Sequence, residues 1–216
     1  MTAVAANRRD GTVYLADRCR VWRAVPGGTF EFFAGERPDT GCLATDPAQV
    51  HLVDFEGGIG GLAVDQRSGA LYVSDDAQVH RIDASGVTTV AGQARRNNAH
   101  INRGFSGDGG PATAARLDEP GSLAVDPATG DLYIADLKNQ RIRKVDAAGT
   151  ITTAVGNGGS RRPYEGRADD VAVDAVQVAI DGQGHLWATA SPDGYNPRDI
   201  WSGRLVTTTL PRPGGG

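Results

Sequence analysis

Long apolar runs are missing from this 216-residue chain, as are blocks of one charge, and aromatics and cysteines are scarce. Without a run of about 20 apolar residues there is no membrane-spanning helix. The first residues, "MTAVAANRRDGTVYLAD", hold no apolar core of signal-peptide length. A soluble, cytoplasmic protein is therefore expected. The net charge of −4 is spread along the chain, so the broad positive surface of a general nucleic-acid binder is not expected. Two cysteines, Cys19 and Cys42, are too few for a disulfide framework or a zinc knuckle, and we read them as unpaired thiols. The helical i, i+3, i+4, i+7 pattern never lasts beyond a couple of turns.

What is abundant is glycine, with 30 residues, and proline adds 11 more. These suit turns. Between them lie segments of four to six residues that alternate apolar and polar side chains, the period of a half-buried strand. The fold class is all-β.

The segments repeat. "LAVDQRSGALYVSD" (62–75) aligns without a gap on "LAVDPATGDLYIAD" (123–136), and "AVAANRRDGTVYLAD" (3–17) fits the same frame. "VAIDGQGHLWATA" (178–190) fits with a shorter turn. The anchor Asn7, Asp65, Asp126, Asp181 recurs with a period of roughly 60, which marks a repeat architecture. Each copy reads as four strands, with Gly11, Gly69 and Gly130 supplying the positive φ of the first turn. A lone four-stranded meander leaves its faces bare. Radial stacking of several such meanders is the β-propeller solution.

"GSLAVDPATGDLYIADLKNQRIRKVD" (121–146) resembles an NHL repeat, and "GFSGDGGPATAARLDEPGSLAVD" (104–126) resembles the inter-blade linker of bacterial NHL-repeat proteins and teneurin-like propellers. The resemblance is strongest in the third copy, weakest in the fourth, and covers nearly the whole chain. It implies one domain over 1–210, with blades at about 2–36, 60–93, 121–158 and 174–210, and a Pro/Gly-rich tail at 211–216. Such propellers commonly have six blades, and four complete copies are present here. Four blades closing a small ring, a part of a larger propeller, and two chains completing one all remain open. A terminal latch is available, since "TAVAA" and "RLVTTTL" could lie side by side.

Asp17, Asp75 and Asp136 each end a second strand and should share one face of the disc. A ring of acids or a cation site is one reading. Recurrence in each well-matched copy favours the other, that each carboxylate accepts hydrogen bonds from its own turn. Asn7, Asp65, Asp126 and Asp181, on the opposite face, are read as turn-formers too.

Arginine follows each fourth strand: Arg37, Arg95 and Arg96, Arg161 and Arg162, then Arg212. Loops leaving one face would carry these guanidiniums together, suited to a carboxylate, a phosphate or an acidic peptide. Aromatics to stack on bases are few there (Phe105, Tyr164, Tyr195), so nucleic acid is not expected. "GFSGDGG" lacks the Gly-Lys-Ser/Thr ending of a phosphate loop and no helix should follow it, so we read it as a turn packed between blades. His51, His80, His100 and His185 have no zinc-pair spacing, and no nucleophile elbow is present. The odd segment "SPDGYNPRDIW" (191–201) carries Tyr195 and Trp201 as candidate anchors for a partner.

These features point to a non-catalytic propeller module that binds a protein, a peptide or a small anionic ligand through Arg37, Arg95, Arg96, Arg161, Arg162, Tyr195 and Trp201. No cofactor and no membrane contact are expected, and self-association could complete the ring. The alternatives are a propeller enzyme resembling lyases and lactonases, with a divalent metal in the channel, and a regulatory fragment of a larger protein.

Overall fold

A computed structural model describes residues 3–35, 55, 58–93, 103–159, 175–190 and 204–210. The chain forms four antiparallel blades of a β-propeller. The first holds β1 (Ala3–Ala6), β2 (Val13–Ala16), β3 (Arg20–Ala24) and β4 (Glu31–Gly35), paired in that order. The second holds β5 (Gly61–Val64), β6 (Leu71–Ser74), β7 (Val79–Asp83) and β8 (Gly86–Ala91). The third holds β9 (Pro120–Val125), β10 (Leu132–Asp136), β11 (Arg141–Val145) and β12 (Ile151–Val155). In the fourth, β13 (Ala175–Ile180), β14 (His185–Ala190) and β15 (Arg204–Thr209) lie among the described residues.

Direct cross-strand neighbours share a face, so the registers divide each blade into two apolar sides. Leu62 faces Val73, and Val64 faces Leu71, which faces Ile82. This side of the second blade packs on Tyr14, Ala16, Val21 and Ala34 of the first. The pattern advances by one blade at a time. Leu123, Leu132, Ile134 and Val145 of the third blade pack on Ala63, Val79 and Ala91 of the second. Val178, Leu186 and Ala188 of the fourth pack on Ala124, Tyr133, Ala135 and Ile142 of the third. Each fully buried Leu or Ile contributes on the order of 1.5–3 kcal/mol relative to exposure. Three cores thus join four blades in series, and among the described residues no fourth core joins the last blade to the first.

The terminal latch does not form among the described residues. β1 pairs with β2, and β15 pairs with β14, from His185 opposite Thr209 to Ala190 opposite Arg204. The segment 204–209 is the third strand of its blade, because it complements the free edge of β14 directly.

"GFSGDGGPATAARL" does pack between blades, as expected. Ala112, Ala115 and Leu117 enter the core between the second and third blades. The linker also runs beside the last hairpin of the third blade, with Gly109 N–H donating to the Ile151 carbonyl and Ile151 N–H to that of Gly110. One expectation fails here: a single 3₁₀ turn, Ala112–Ala114, follows the glycines.

The cysteine expectation is corrected as well. Cys19 is 2% exposed and disulfide-bonded. The sequence holds one other cysteine, Cys42, which lies outside the described residues. Sequence spacing says little about distance when a turn supports an inter-blade segment, and the Cys19 turn does so: Ile59 N–H donates to the Arg18 carbonyl. Among the described residues no helix is long and apolar enough to cross a membrane.

Candidate functional site

The two faces of the disc are built from different turns. On one face, the first and second strands of each blade are joined by a turn that opens on the repeat anchor. Oδ1 accepts the backbone N–H two residues on, from Arg9 to Asn7 at 3.0 Å, Arg67 to Asp65 at 2.9 Å, Ala128 to Asp126 at 2.9 Å and Gln183 to Asp181 at 2.9 Å. These four residues are turn-formers. At Asp181 the other oxygen also accepts from Trp187 Nε1 at 2.9 Å and lies 2.8 Å from His185 Nδ1. The Trp187 bond, the His185 backbone N–H and the His185 side chain hold this carboxyl well below the usual range.

On the opposite face, second strands end and fourth strands leave. Asp17 Oδ1 accepts the N–H groups of Cys19 and Arg20, and Asp75 Oδ1 those of Ala77 and Gln78. Each second oxygen then reaches the third strand: Trp22 Nε1 donates to Asp17 Oδ2 at 3.2 Å, and His80 Nε2 lies 3.3 Å from Asp75 Oδ2. Trp22, His80 and Arg143 occupy one repeating slot, each directly after a bulge in the pairing with the fourth strand.

The third blade departs from this scheme. Asp136 Oδ1 accepts the Asp118 N–H at 2.9 Å, from the linker rather than from its own turn. Its Oδ2 accepts from Asn139 Nδ2 at 2.8 Å and from Arg143 Nη1 at 3.2 Å. Burial pushes the Asp136 carboxyl up to about 6, against the lowering influence of Asn139, the Asp118 N–H and Arg143. The Arg143 side chain is wholly buried. Its Nη2 donates to Asp108 Oδ1 at 2.6 Å and to the Ser106 carbonyl at 3.2 Å, and the Phe105 ring centre lies 4.7 Å from its Cζ. Arg143 therefore bolts the linker to the blade. Nothing in the sequence pattern separates it from its half-buried neighbours Arg141 and Lys144.

Glycine ends each of the first three fourth strands because the backbone leaves no room for anything else. Gly35, Gly92 and Gly156 have φ of +96°, +87° and +97°, and an added Cβ would sit 2.3, 2.1 and 2.5 Å from the carbonyl oxygens of Cys19, Ala77 and Gln140. The chain is thus steered off this face at the same place three times.

The arginines named from the sequence come next, and Arg37, Arg95, Arg96, Arg161, Arg162 and Arg212 all lie outside the described residues. So do Tyr164, Tyr195, Trp201, His51 and His100. What is described at this face is a partly exposed patch on the third blade. Phe105 is 43% exposed, with Arg141 Cζ 3.8 Å from its ring centre, and Arg141 Nη2 donates to the Asn157 carbonyl at 2.7 Å. Nearer the inner strands, Arg103 pairs with Asp76 and, at 3.0 Å, with Glu119. Burial raises the Asp76 and Asp118 carboxyls, opposed by Arg103. Among the described residues, no three His, Cys, Asp or Glu side chains gather closely enough to hold a metal ion.

Comparison with known proteins agrees with this architecture. The sequence model of the teneurin NHL domain matches residues 63–186. Teneurin-1 of Gallus gallus is 30% identical over 184 residues, covering 80% of this chain and 6% of that protein. Teneurin-4 of Homo sapiens is 43% identical over 157 residues, covering 66% of this chain and 6% of that protein. The chain thus spans a small fraction of the length of these relatives. A Bacteroides thetaiotaomicron VPI-5482 protein of unknown function superposes with a TM-score of 0.66 at 20% identity, over 89% of this chain and 45% of its own. That likeness shows the fold alone.

Proposed function

We propose, for a chain that belongs to the teneurin NHL family of β-propellers, a non-catalytic binding role: it captures an acidic segment of a protein partner on the face where the fourth strands end. NHL propellers commonly mediate protein interactions. The observation that carries the reading is the common exit at Gly35, Gly92 and Gly156, each followed within a few residues by arginine in the sequence. Guanidinium forks suit carboxylates, bidentate and charge-assisted. The exposed Phe105–Arg141 pair adds an aromatic and a cation at the same face. The buried ionic groups of the described residues serve the fold instead, as the Arg143 bolt and the Asp75–His80 contact do. The Cys19 disulfide favours work in an oxidising compartment.

The test uses a fluorescent glutamate-rich peptide as the probe. Replacing Arg95, Arg96, Arg161 and Arg162 together by Ala should weaken binding by on the order of tenfold or more, since hydrogen bonds to charged groups contribute about 1.5–3 kcal/mol each. The melting temperature should stay nearly unchanged. Undiminished binding by the quadruple variant at low salt would overturn the reading.

A further inference from the structure

Asn157 is followed by glycine, and no other asparagine of the chain is. Both residues are exposed, in the segment that leaves β12 on the face where the fourth strands end. A Cβ at Gly158 would be strained by its φ of +73° and would sit 1.8 Å from Arg141 Nη1, so the guanidinium lies against a bare Cα. Arg141 is fixed there by its surroundings. Its Nη1 donates to the Asn139 carbonyl at 2.8 Å, its Nη2 donates to the Asn157 carbonyl at 2.7 Å, and Phe105 lies under its Cζ at 3.8 Å.

An asparagine amide carbon and the backbone nitrogen of the next residue can close a five-membered ring. A side chain on that next residue obstructs the closure, and glycine has none. Asn157 Oδ1 also accepts the Gly159 N–H at 2.8 Å. This bond draws electrons from Cγ and stands where negative charge develops on Oδ1 as the nitrogen adds, the position of an oxyanion donor. Two other asparagines serve as internal comparisons. Asn7 accepts the Arg9 N–H in the same manner, but it is buried and precedes Arg8. Asn139 precedes Gln140, and its Nδ2 donates to the Gly104 carbonyl and to Asp136 Oδ2.

We propose that Asn157 is a site of self-deamidation that regulates the Phe105–Arg141 patch, a regulation that rests on the binding role given above. The Gly158 nitrogen yields its proton to solvent and bonds to Asn157 Cγ. The Cγ–Nδ2 bond then breaks, and the amide nitrogen takes up protons and leaves as ammonia. Water opens the resulting succinimide. Addition at Cγ breaks the new C–N bond and leaves aspartate. Addition at the backbone carbonyl breaks the original peptide C–N bond and leaves isoaspartate, with the chain running through Cγ. In that product the carbonyl that Arg141 holds has become a free carboxylate. A neutral acceptor of the guanidinium is replaced by a charged one, and the pair becomes charge-assisted. An acidic partner then loses the Arg141 cation and meets a new negative charge beside it.

The experiment incubates the 216-residue chain at physiological temperature and mildly alkaline pH, followed by digestion and peptide mapping by mass spectrometry. The peptide holding position 157 should gain the mass of an amide turned into an acid and split into two isomers. It should do so on the order of tenfold faster than the peptides holding Asn7 and Asn139, whose successors carry side chains. Asn157→Gln, too long to close the same ring, should keep its mass. A wild-type peptide that keeps its mass, or changes no faster than that of Asn7, would overturn the inference. The isoaspartyl chain, separated by ion exchange, should bind the glutamate-rich peptide several-fold more weakly than the fresh chain. Equal binding would overturn the regulation and leave the modification standing. A fresh chain that does not bind the peptide would overturn the binding role and the regulation with it, while the mass decides the modification by itself.

Discussion

The second and third blades place an acid at the same point and use it differently. Asp75 closes its own turn and lies beside His80, a contact contained within one blade. Asp136 turns away to the linker, accepting the Asp118 N–H, while Arg143 reaches from Asp136 to Asp108 and the Ser106 carbonyl. Its own turn keeps only the bond from the Asn139 side chain to Asp136 Oδ2, and the backbone closes by a 3₁₀ step at Leu137–Asn139 and by Gln140 at φ +52°. A repeated residue keeps its slot while its partner decides whether it serves a turn or ties two blades together.

The sharpest way to break the contrast is Arg143→Ala. It leaves the Asp136 carboxylate buried without its cation, and breaking such a pair costs about 3–5 kcal/mol. Urea unfolding should show that loss, and Arg143→Lys should recover only part of it, since an ammonium cannot reproduce the fork. A wild-type midpoint in Arg143→Ala would mean the bolt is not under load.

The next effect is on pH. The folded Asp136 carboxyl, raised to about 6, holds its proton more tightly than in the unfolded chain. The folded state is therefore favoured as pH falls from neutral toward about 4, and the gain is lost as pH rises through about 6, on the order of 2–3 kcal/mol in all. Burial of Asp76 and Asp118 acts in the same direction. The lowered carboxyls of Asp10, Asp83 and Asp181 act oppositely, and only in more acid solution. Asp136→Asn should flatten the dependence in chemical denaturation at several pH values, and a slope unchanged by this substitution would assign it elsewhere.

His80→Gln should be the mildest change. It keeps a polar group near Asp75 and Thr89 but loses the edge contact of the imidazole with Phe55 at 6.1 Å. We expect about 1 kcal/mol, the scale of one ordinary hydrogen bond. A loss as large as that of Arg143→Ala would erase the difference between the blades.

Much of the architecture was legible because a repeat states the same physics several times. The anchor acids declared their turns, since a carboxylate two residues before an N–H is a local arrangement. The period-two segments declared the strands. Arg143 was hidden because its burial depends on Phe105, Ser106 and Asp108, more than 30 positions away, and one arginine in "RIRKVD" looks like another. Cys19 was misread for the same reason. The glycines ending the fourth strands were visible as letters, but their necessity comes from a carbonyl of a neighbouring turn. The arginine set, with Tyr195 and Trp201, rests on the sequence alone, because those residues fall outside the described ones.

Cores that join only consecutive blades give the chain the energetics of a short one-dimensional array. Among the described residues the second and third blades each share two such cores, and the first and fourth each share one. The wedge of Ala112, Ala115 and Leu117 sits at the centre of that array. Weakening it would divide one cooperative unit into two halves, each free to open by itself.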